Sequence, residues 1–261
     1  MVVPVLLAFL ALSAPPPNAP IPRDPDALAT TYAATTHDLG AAIDRWQASG
    51  ARLVPEDVTL YALYQQRIVN LLSERRALSK AVLARLETPR PLRSELAARR
   101  ELGHLSRPRP LSAFRTGPAE PADRLRTYYL EAQRRFGAAW NVLAAVNYVE
   151  SAFNKLRNSS TAGAQGPMQF IPSTWRRYGL GGNVHDPHDA ILGAANYLHA
   201  NGAPRNYRRA LYRYNPSWLY VDAVQRYAAR IRANPRAYYV FYSRQVFVRT
   251  ARGLVRLTGP R

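Results

Sequence analysis

The chain has 261 residues, with 36 Lys and Arg against 17 Asp and Glu, and a formal net charge of +19. A hydrophobic fraction of 47% excludes wholesale disorder, and the lack of cysteine excludes disulfides, thiolate metal sites and cysteine nucleophiles. The charge excess is compatible with a polyanionic partner, namely nucleic acid, an anionic membrane or an anionic cell wall, and equally with a solvated surface that has no partner.

The amino-terminal segment predicts export. Residues 1–14 combine a short apolar run with small residues and are typical of a signal peptide or membrane anchor, although no Lys or Arg precedes the run. Residues 15–25 are rich in proline and predict an extended spacer. We therefore expect an extracellular or cell-wall-associated protein, which stays anchored to the membrane if the segment is retained.

Residues 26–105 predict an N-terminal helical region, a hairpin or small bundle. Apolar residues recur at helical spacing over 26–48 and 56–86, and a shorter helix is predicted over 93–105. This region carries no motif with an evident chemistry. A linker is predicted over 106–121, where proline recurs.

A second helical domain is predicted over residues 122–235. Its apolar spacing and capping signals define helices that cover 123–136, 138–150, 190–200 and 220–233. The last segment, 236–261, is rich in aromatic and β-branched residues with a glycine at its centre, and it predicts a β-hairpin.

Glu150 is the residue that first suggests a reaction. It is the only acidic residue between Glu131 and Asp186, and it ends an apolar helix. Apolar surroundings raise the pKa of a carboxyl group, which allows it to donate a proton near neutral pH. The alternative is a surface glutamate at a helix end.

The residues after Glu150 form a longer pattern. A serine pair is followed by two glycines that flank Ala-Gln, then by Pro-Met-Gln, by an Asp-x-x-Asp helix start and by a Tyr-Asn pair. This pattern resembles the lysozyme-like domain of soluble lytic transglycosylases and goose-type lysozymes. The resemblance covers about residues 127–232, and four elements occur in the expected order. With the arginine-rich composition, it suggests a secreted protein of actinobacterial type.

The resemblance implies a fold and a reaction. The fold class is mainly α: a lysozyme-like α domain preceded by a helical hairpin, with a short C-terminal β-hairpin. Glu150 would protonate the glycosidic oxygen between N-acetylmuramic acid and N-acetylglucosamine in peptidoglycan, and would then act as a base on the muramyl 6-hydroxyl. The product would carry a 1,6-anhydro end. A single carboxyl group suffices for this reaction, whereas most glycoside hydrolases use two.

The resemblance also implies a set of substrate-binding residues. Tyr214 would hold the glutamate oriented by a hydrogen bond, and Asn215 would contact sugar or backbone. Counting back from the glycine turn assigns the substrate serine to Ser160, whereas counting forward from Glu150 assigns it to Ser159. The full set is Ser159, Ser160, Gln165, Met168, Gln169, Tyr214 and Asn215.

A metal site is the competing interpretation of one acidic and histidine-rich stretch. His185 and His188 alternate with Asp186 and Asp189. The proline between them is typical of a helix start with capping side chains, so we predict caps, no metal and no cofactor.

Three other functions are compatible with the sequence to different degrees. A goose-type muramidase would hydrolyse the same bond with water, and its second carboxylate would be Asp186, Asp189 or Asp222. A non-catalytic cell-wall-binding protein would keep the groove alone. Nucleic-acid binding is disfavoured because no recognition motif accompanies the charge. We expect peptidoglycan glycan strands as the partner, anionic cell-wall polymers as further ligands of the arginines, and a monomer.

Overall fold

The computed structural model describes residues 13–260, so the predicted signal peptide or anchor lies almost wholly outside the described residues. Within that range the chain is mainly helical, as predicted, and no helix there is long and apolar enough to cross a membrane. The helices are α1 (Pro25–Ser49), α2 (Glu56–Glu74), α3 (Arg76–Leu83), α4 (Arg90–Leu105), α5 (Ala122–Phe136), α6 (Trp140–Ser151), α7 (Pro172–Tyr178), α8 (Pro187–Ala200), α9 (Tyr207–Tyr214), α10 (Trp218–Ala233) and α11 (Arg236–Ser243).

The N-terminal helices follow their capping signals closely. Asp24 accepts hydrogen bonds from the backbone N–H groups of Asp26 and Ala27 at 3.0 and 2.9 Å, and Gly50 ends α1 in the left-handed conformation. The prediction of a single helix over 56–86 is wrong. The chain leaves helical geometry at Arg75, so that α3 turns and packs against both α1 and α2.

The predicted linker does not separate two cores. Helix α4 packs along α10, and one large hydrophobic core contains side chains from α1, α2 and α4 together with side chains from α5, α6, α8 and α10. A smaller core lies among α1 to α4 alone. The N-terminal helices are therefore part of the same packed body as the segment that carries Glu150.

The C-terminal segment departs from the prediction in its first half. Residues 236–243, expected in a strand, form α11, because their aromatic rings are buried in the core on several sides. The ring of Tyr238 meets those of Trp140 and Phe153 edge-on at 5.9 and 5.7 Å. Burial on this scale outweighs the intrinsic β propensity of aromatic residues.

The predicted hairpin is confirmed over a shorter range. Strands β1 (Phe247–Thr250) and β2 (Gly253–Arg256) are antiparallel, and the turn lies between Thr250 and Gly253. Gln66 of α2 anchors the hairpin: its side-chain amide exchanges two hydrogen bonds of 2.9 Å with the backbone N–H and C=O of Gln245. The hairpin is thus fixed against the N-terminal helices.

Candidate active site

Glu150 lies at the end of α6, in the wall of a cavity of about 260 Å³. Its side chain accepts a hydrogen bond of 2.6 Å at Oε1 from the hydroxyl of Tyr220, a buried residue at the start of α10. Val149, Ala152 and Leu156 line the cavity beside it. The carboxyl group is therefore held in one orientation at the edge of this cavity.

The surroundings of Glu150 favour its protonated form. Burial raises its pKa to about 7, and the hydrogen bond from Tyr220 opposes this increase because it stabilises the carboxylate. At neutral pH a substantial fraction of the group keeps its proton. This state suits a general acid, as the sequence predicts.

The backbone reverses direction directly after Glu150. Ala152, Phe153 and Asn154 all have positive φ, at 50°, 62° and 67°, a conformation that costs energy for residues other than glycine. Ser151 supports the turn: its hydroxyl donates to the carbonyl of Pro167 at 2.6 Å and accepts from the N–H of Asn154 at 2.8 Å. Strained backbone supported on several sides is common at active sites.

Two side chains hold this turn in the core. The ring of Phe153 is fully buried and lies 5.6 Å from that of Tyr148. Nζ of Lys155 donates to the backbone carbonyls of Tyr242 and Arg244, and burial lowers the pKa of Lys155 to about 7. The turn after Glu150 is thus joined to the end of α11.

The glycine turn predicted from the sequence lies next to this loop. Gly166 has a φ of +73°, and a Cβ at this position would lie 1.9 Å from the carbonyl oxygen of Val184, so only glycine fits. The turn is closed by two backbone hydrogen bonds of 2.9 Å between Gln165 and Phe170. Gln169 also has a positive φ, at 51°, and its amide donates to the carbonyl of Gly166 at 2.9 Å.

Two of the predicted roles need correction. Tyr214 does not provide the hydrogen bond to Glu150: its hydroxyl donates to the carbonyl of Met168 at 2.6 Å, and Tyr220 takes the expected place. Met168 is fully buried, and its sulfur accepts a hydrogen bond of 3.0 Å from the side-chain amide of Asn147. It therefore lies beneath the turn as packing and does not form the surface of a groove.

Of the remaining predicted residues, the two serines precede the same turn and Asn215 lies at the end of α9. The hydroxyl of Ser160 accepts from the N–H groups of Ala162 and Ala164 at 3.2 and 3.0 Å and is occupied by the turn itself, whereas Ser159 is exposed. Asn215 ends α9, with its backbone N–H bonded to Leu211 at 3.0 Å.

The acids considered as a second carboxylate have structural partners. Asp186 accepts from the N–H of Asp189 at 3.0 Å as the N-cap of α8, and Asp189 accepts from the N–H of Asn183 at 2.8 Å. Asp222 pairs with Arg208 at 2.6 Å on the surface. The lining of the Glu150 cavity includes a different acid, Glu74 of α2, which no motif in the sequence indicates.

The histidine-rich stretch forms a compact cluster. Ligand atoms of Asp186, His188 and Asp189 lie within 4.8 Å of one another, and His188 is also 3.0 Å from Glu131. Both aspartates already accept backbone N–H groups, as the capping interpretation predicts.

Sequence reasoning missed Tyr220 and the outer wall of the cavity. Tyr220 lies at the start of α10, the helix that follows the Tyr214-Asn215 pair. No local sequence pattern marks a buried tyrosine at that position. Most residues that line the cavity lie outside the second domain, on α2, α4 and the hairpin. Packing of α4 against α10, and of α2 against α4 and α11, brings them to Glu150.

Comparison with known proteins gives one family and one relative. Residues 127–230 match the family model described as the transglycosylase SLT domain. Over 74 residues the chain is 39% identical to the membrane-bound lytic murein transglycosylase F of Thiobacillus denitrificans, an alignment that covers 28% of this chain and 15% of that relative. The matched stretch is thus a small part of the relative's length. No solved structure matches the chain significantly.

Proposed function

We propose that this chain, whose residues 127–230 match the model of the transglycosylase SLT domain, is a peptidoglycan lytic transglycosylase with Glu150 as its acid and base. The single observation that carries the proposal is the buried carboxyl of Glu150, which has a pKa of about 7 and a fixed orientation from Tyr220. The name of the relative agrees with this activity.

The reaction needs one proton donor that later accepts a proton. Glu150 donates its proton to the glycosidic oxygen while the bond from that oxygen to the muramyl C1 breaks. The carboxylate then removes the proton of the muramyl 6-hydroxyl as its oxygen bonds to C1. The products are a 1,6-anhydromuramyl end and a free 4-hydroxyl on N-acetylglucosamine, water is not consumed, and Glu150 is protonated again.

The substrate also places the enzyme outside the cytoplasmic membrane, because peptidoglycan lies there. The apolar run predicted at residues 1–14 agrees with export. The arginine excess suits an anionic wall, whose stem peptides and polymers carry carboxylates and phosphates.

Hydrolysis of the same bond is the second candidate, and Glu74 is the observation that favours it. Glu74 lines the cavity of Glu150, so a second carboxylate is present on the facing wall. In a hydrolase it would activate a water molecule on the opposite face of the sugar.

One experiment separates these functions. Purified wild type, Glu150→Gln and Glu74→Gln are incubated with peptidoglycan sacculi, and the released muropeptides are analysed by mass spectrometry. We expect anhydro-muropeptides from wild type and Glu74→Gln, and a loss of at least about 10²-fold for Glu150→Gln, the scale of general acid catalysis. Reducing-end products that disappear with Glu74→Gln indicate a muramidase. Binding without any product indicates a wall-binding protein.

A further inference from the structure

The cavity of Glu150 has a polar outer wall for which bond cleavage gives no role. Asn70 of α2, Arg99 of α4 and Arg249 of β1 line it, opposite the residues of α6. All three lie outside the matched residues 127–230. The N-terminal helices and the C-terminal hairpin therefore contribute polar groups to the space in front of the catalytic carboxyl.

Asn70 has an unused hydrogen-bond donor in this wall. Only 7% of the residue is exposed, and its Oδ1 accepts from Nη1 of Arg99 at 2.5 Å, which fixes the orientation of the amide. Its Nδ2 has no hydrogen-bond partner among residues 13–260. Buried polar groups are normally paired, so a donor left free beside a cavity indicates a ligand with an acceptor oxygen.

Two guanidiniums line the cavity, those of Arg99 and Arg249. Arg99, Arg230 and Arg244 surround one carboxylate, that of the fully buried Glu95. Arg249 adds an exposed guanidinium at the rim, where no ion pair with another described residue engages it. Among the residues that the structure describes, Glu74 is the one acid on the lining besides Glu150. When Glu150 carries its proton, the two guanidiniums of the lining face a single carboxylate, and this balance favours an anion.

We propose that Asn70, Arg99 and Arg249 form a carboxylate-binding subsite that takes the acidic peptide attached to the muramyl residue of a glycan strand. This inference rests on the proposed function, since it is the muramyl sugar at Glu150 that brings its peptide to the facing wall. Two guanidiniums and an amide N–H are the donors that bind a carboxylate best. The subsite makes the enzyme selective for peptide-bearing strands over bare glycan.

Binding tests the subsite without any turnover. In the Glu150→Gln background, calorimetry compares the disaccharide N-acetylglucosaminyl-N-acetylmuramic acid bearing a tetrapeptide with the same disaccharide lacking the peptide. We expect the peptide to tighten binding by about tenfold or more, the scale of one or two charge-assisted hydrogen bonds. Equal affinity for the two ligands overturns the proposal.

Variants show whether these residues produce the preference. Arg249→Gln removes the exposed charge, and Asn70→Asp replaces the free donor with a carboxylate that Arg99 tolerates and the ligand does not. Each is expected to reduce the preference several-fold. Arg252→Gln, on the same hairpin but facing a different groove, is the matched control and keeps it. If Arg252→Gln and Arg249→Gln lose the preference for the peptide-bearing ligand equally, the preference depends on net charge alone, and the subsite is refuted.

Cleavage separates the subsite from the proposed function. Wild type and Arg249→Gln are given glycan strands with stem peptides and the same strands after an amidase has removed them, and the ratio of the two rates is measured. The rate on strands with stem peptides is expected to exceed the rate on stripped strands by more than about tenfold in wild type. This ratio should be smaller in Arg249→Gln, in line with the binding difference. If neither strand is cleaved, the proposed function fails, and the binding comparison alone decides the subsite.

Discussion

At the scale of single residues, the proposed chemistry depends on the hydrogen bond between Tyr220 and Glu150. Tyr220 donates to Oε1 of Glu150 at 2.6 Å, and burial of the carboxyl keeps its pKa near 7. The hydrogen bond lowers this pKa while burial raises it. The acid strength of Glu150 is thus a balance that a change at either residue shifts.

The first prediction concerns the pH dependence of cleavage. Because Glu150 must be protonated to act as an acid, the rate should fall as pH rises through about 7. Tyr220→Phe removes the bond that stabilises the carboxylate, so its pKa rises and the fall in rate moves to higher pH. Loss of orientation should also reduce the maximum rate by about tenfold, the equivalent of one hydrogen bond. Rates on soluble muropeptides between pH 5 and pH 9 measure both effects.

Tyr129→Phe is the control for this prediction. Tyr129 is also fully buried, and its hydroxyl has no hydrogen-bond partner among the described residues. The pH profile of cleavage by Tyr129→Phe should coincide with that of wild type. A profile for Tyr220→Phe that is lowered at every pH without a shift would mean that the tyrosine supports the fold and does not tune the acid.

At the scale of elements, the site is built where two turns meet. The positive-φ turn after α6 and the glycine turn before α7 are joined by Ser151, whose hydroxyl bonds to Pro167. Neither turn belongs to a regular element, yet both are held by buried groups. This arrangement keeps the carboxyl of Glu150 fixed relative to Gln169.

The second prediction concerns the glycine turn. In Gly166→Ala the new methyl group would lie 1.9 Å from the carbonyl of Val184, so the backbone must move. We expect the free energy of unfolding to fall by at least about 2 kcal/mol and the rate of cleavage to decline, because substitutions that strain the backbone in this way are among the most destabilising. Urea denaturation followed by circular dichroism measures the first effect.

Gly163→Ala is the matched control for the turn. Gly163 also has a positive φ, +78°, but no atom of residues 13–260 lies within 4 Å of a Cβ built there. Only the conformational penalty of about 1 kcal/mol applies. If both variants lose the same stability, the close approach to Val184 is not what requires glycine at position 166.

At the scale of the whole molecule, one buried charge cluster joins three regions of the chain. Glu95 of α4 meets Arg230 of α10 and Arg244 at the end of α11, and all three side chains are largely or wholly buried. Burial would raise the pKa of Glu95, but the guanidiniums of Arg244, Arg230 and Arg99 lower it well below its ordinary value. The cluster links the N-terminal helices to the second domain.

The third prediction follows from this cluster. Glu95→Gln leaves three guanidiniums without their carboxylate, and breaking a buried pair of this kind costs about 3–5 kcal/mol. The pKa of Glu95 is depressed in the folded state, so its contribution is complete above the ordinary carboxyl pKa and is lost as pH falls. The difference in unfolding free energy between wild type and Glu95→Gln should therefore shrink in acid.

Asp44→Asn provides the comparison at the surface. Asp44 pairs with Arg236 at 2.5 Å, but both side chains are about half exposed. A solvated pair contributes at most about 1 kcal/mol, so this variant should unfold nearly as wild type does. Equal costs for the two substitutions would mean that the buried cluster is dispensable for stability.

Much of this protein was determined by its sequence alone. The spacing of apolar residues predicted α1, α5, α6, α8 and α10, and the capping residues predicted several of their ends, because these signals act over a few residues. Glu150 was selected as the candidate acid by its isolation and by the order of the motifs after it. Such order survives in the sequence whatever the tertiary packing is.

Other features were decided only by the tertiary structure. The helix at 236–243 forms because its aromatic rings are buried from several directions, which local propensity does not encode. Tyr220 reaches Glu150 across 70 residues, and Asn70 and Arg99 face it from helices whose sequences carry no motif. A hydrogen bond or a cavity wall depends on distance in space. Packing sets that distance, and spacing along the chain does not.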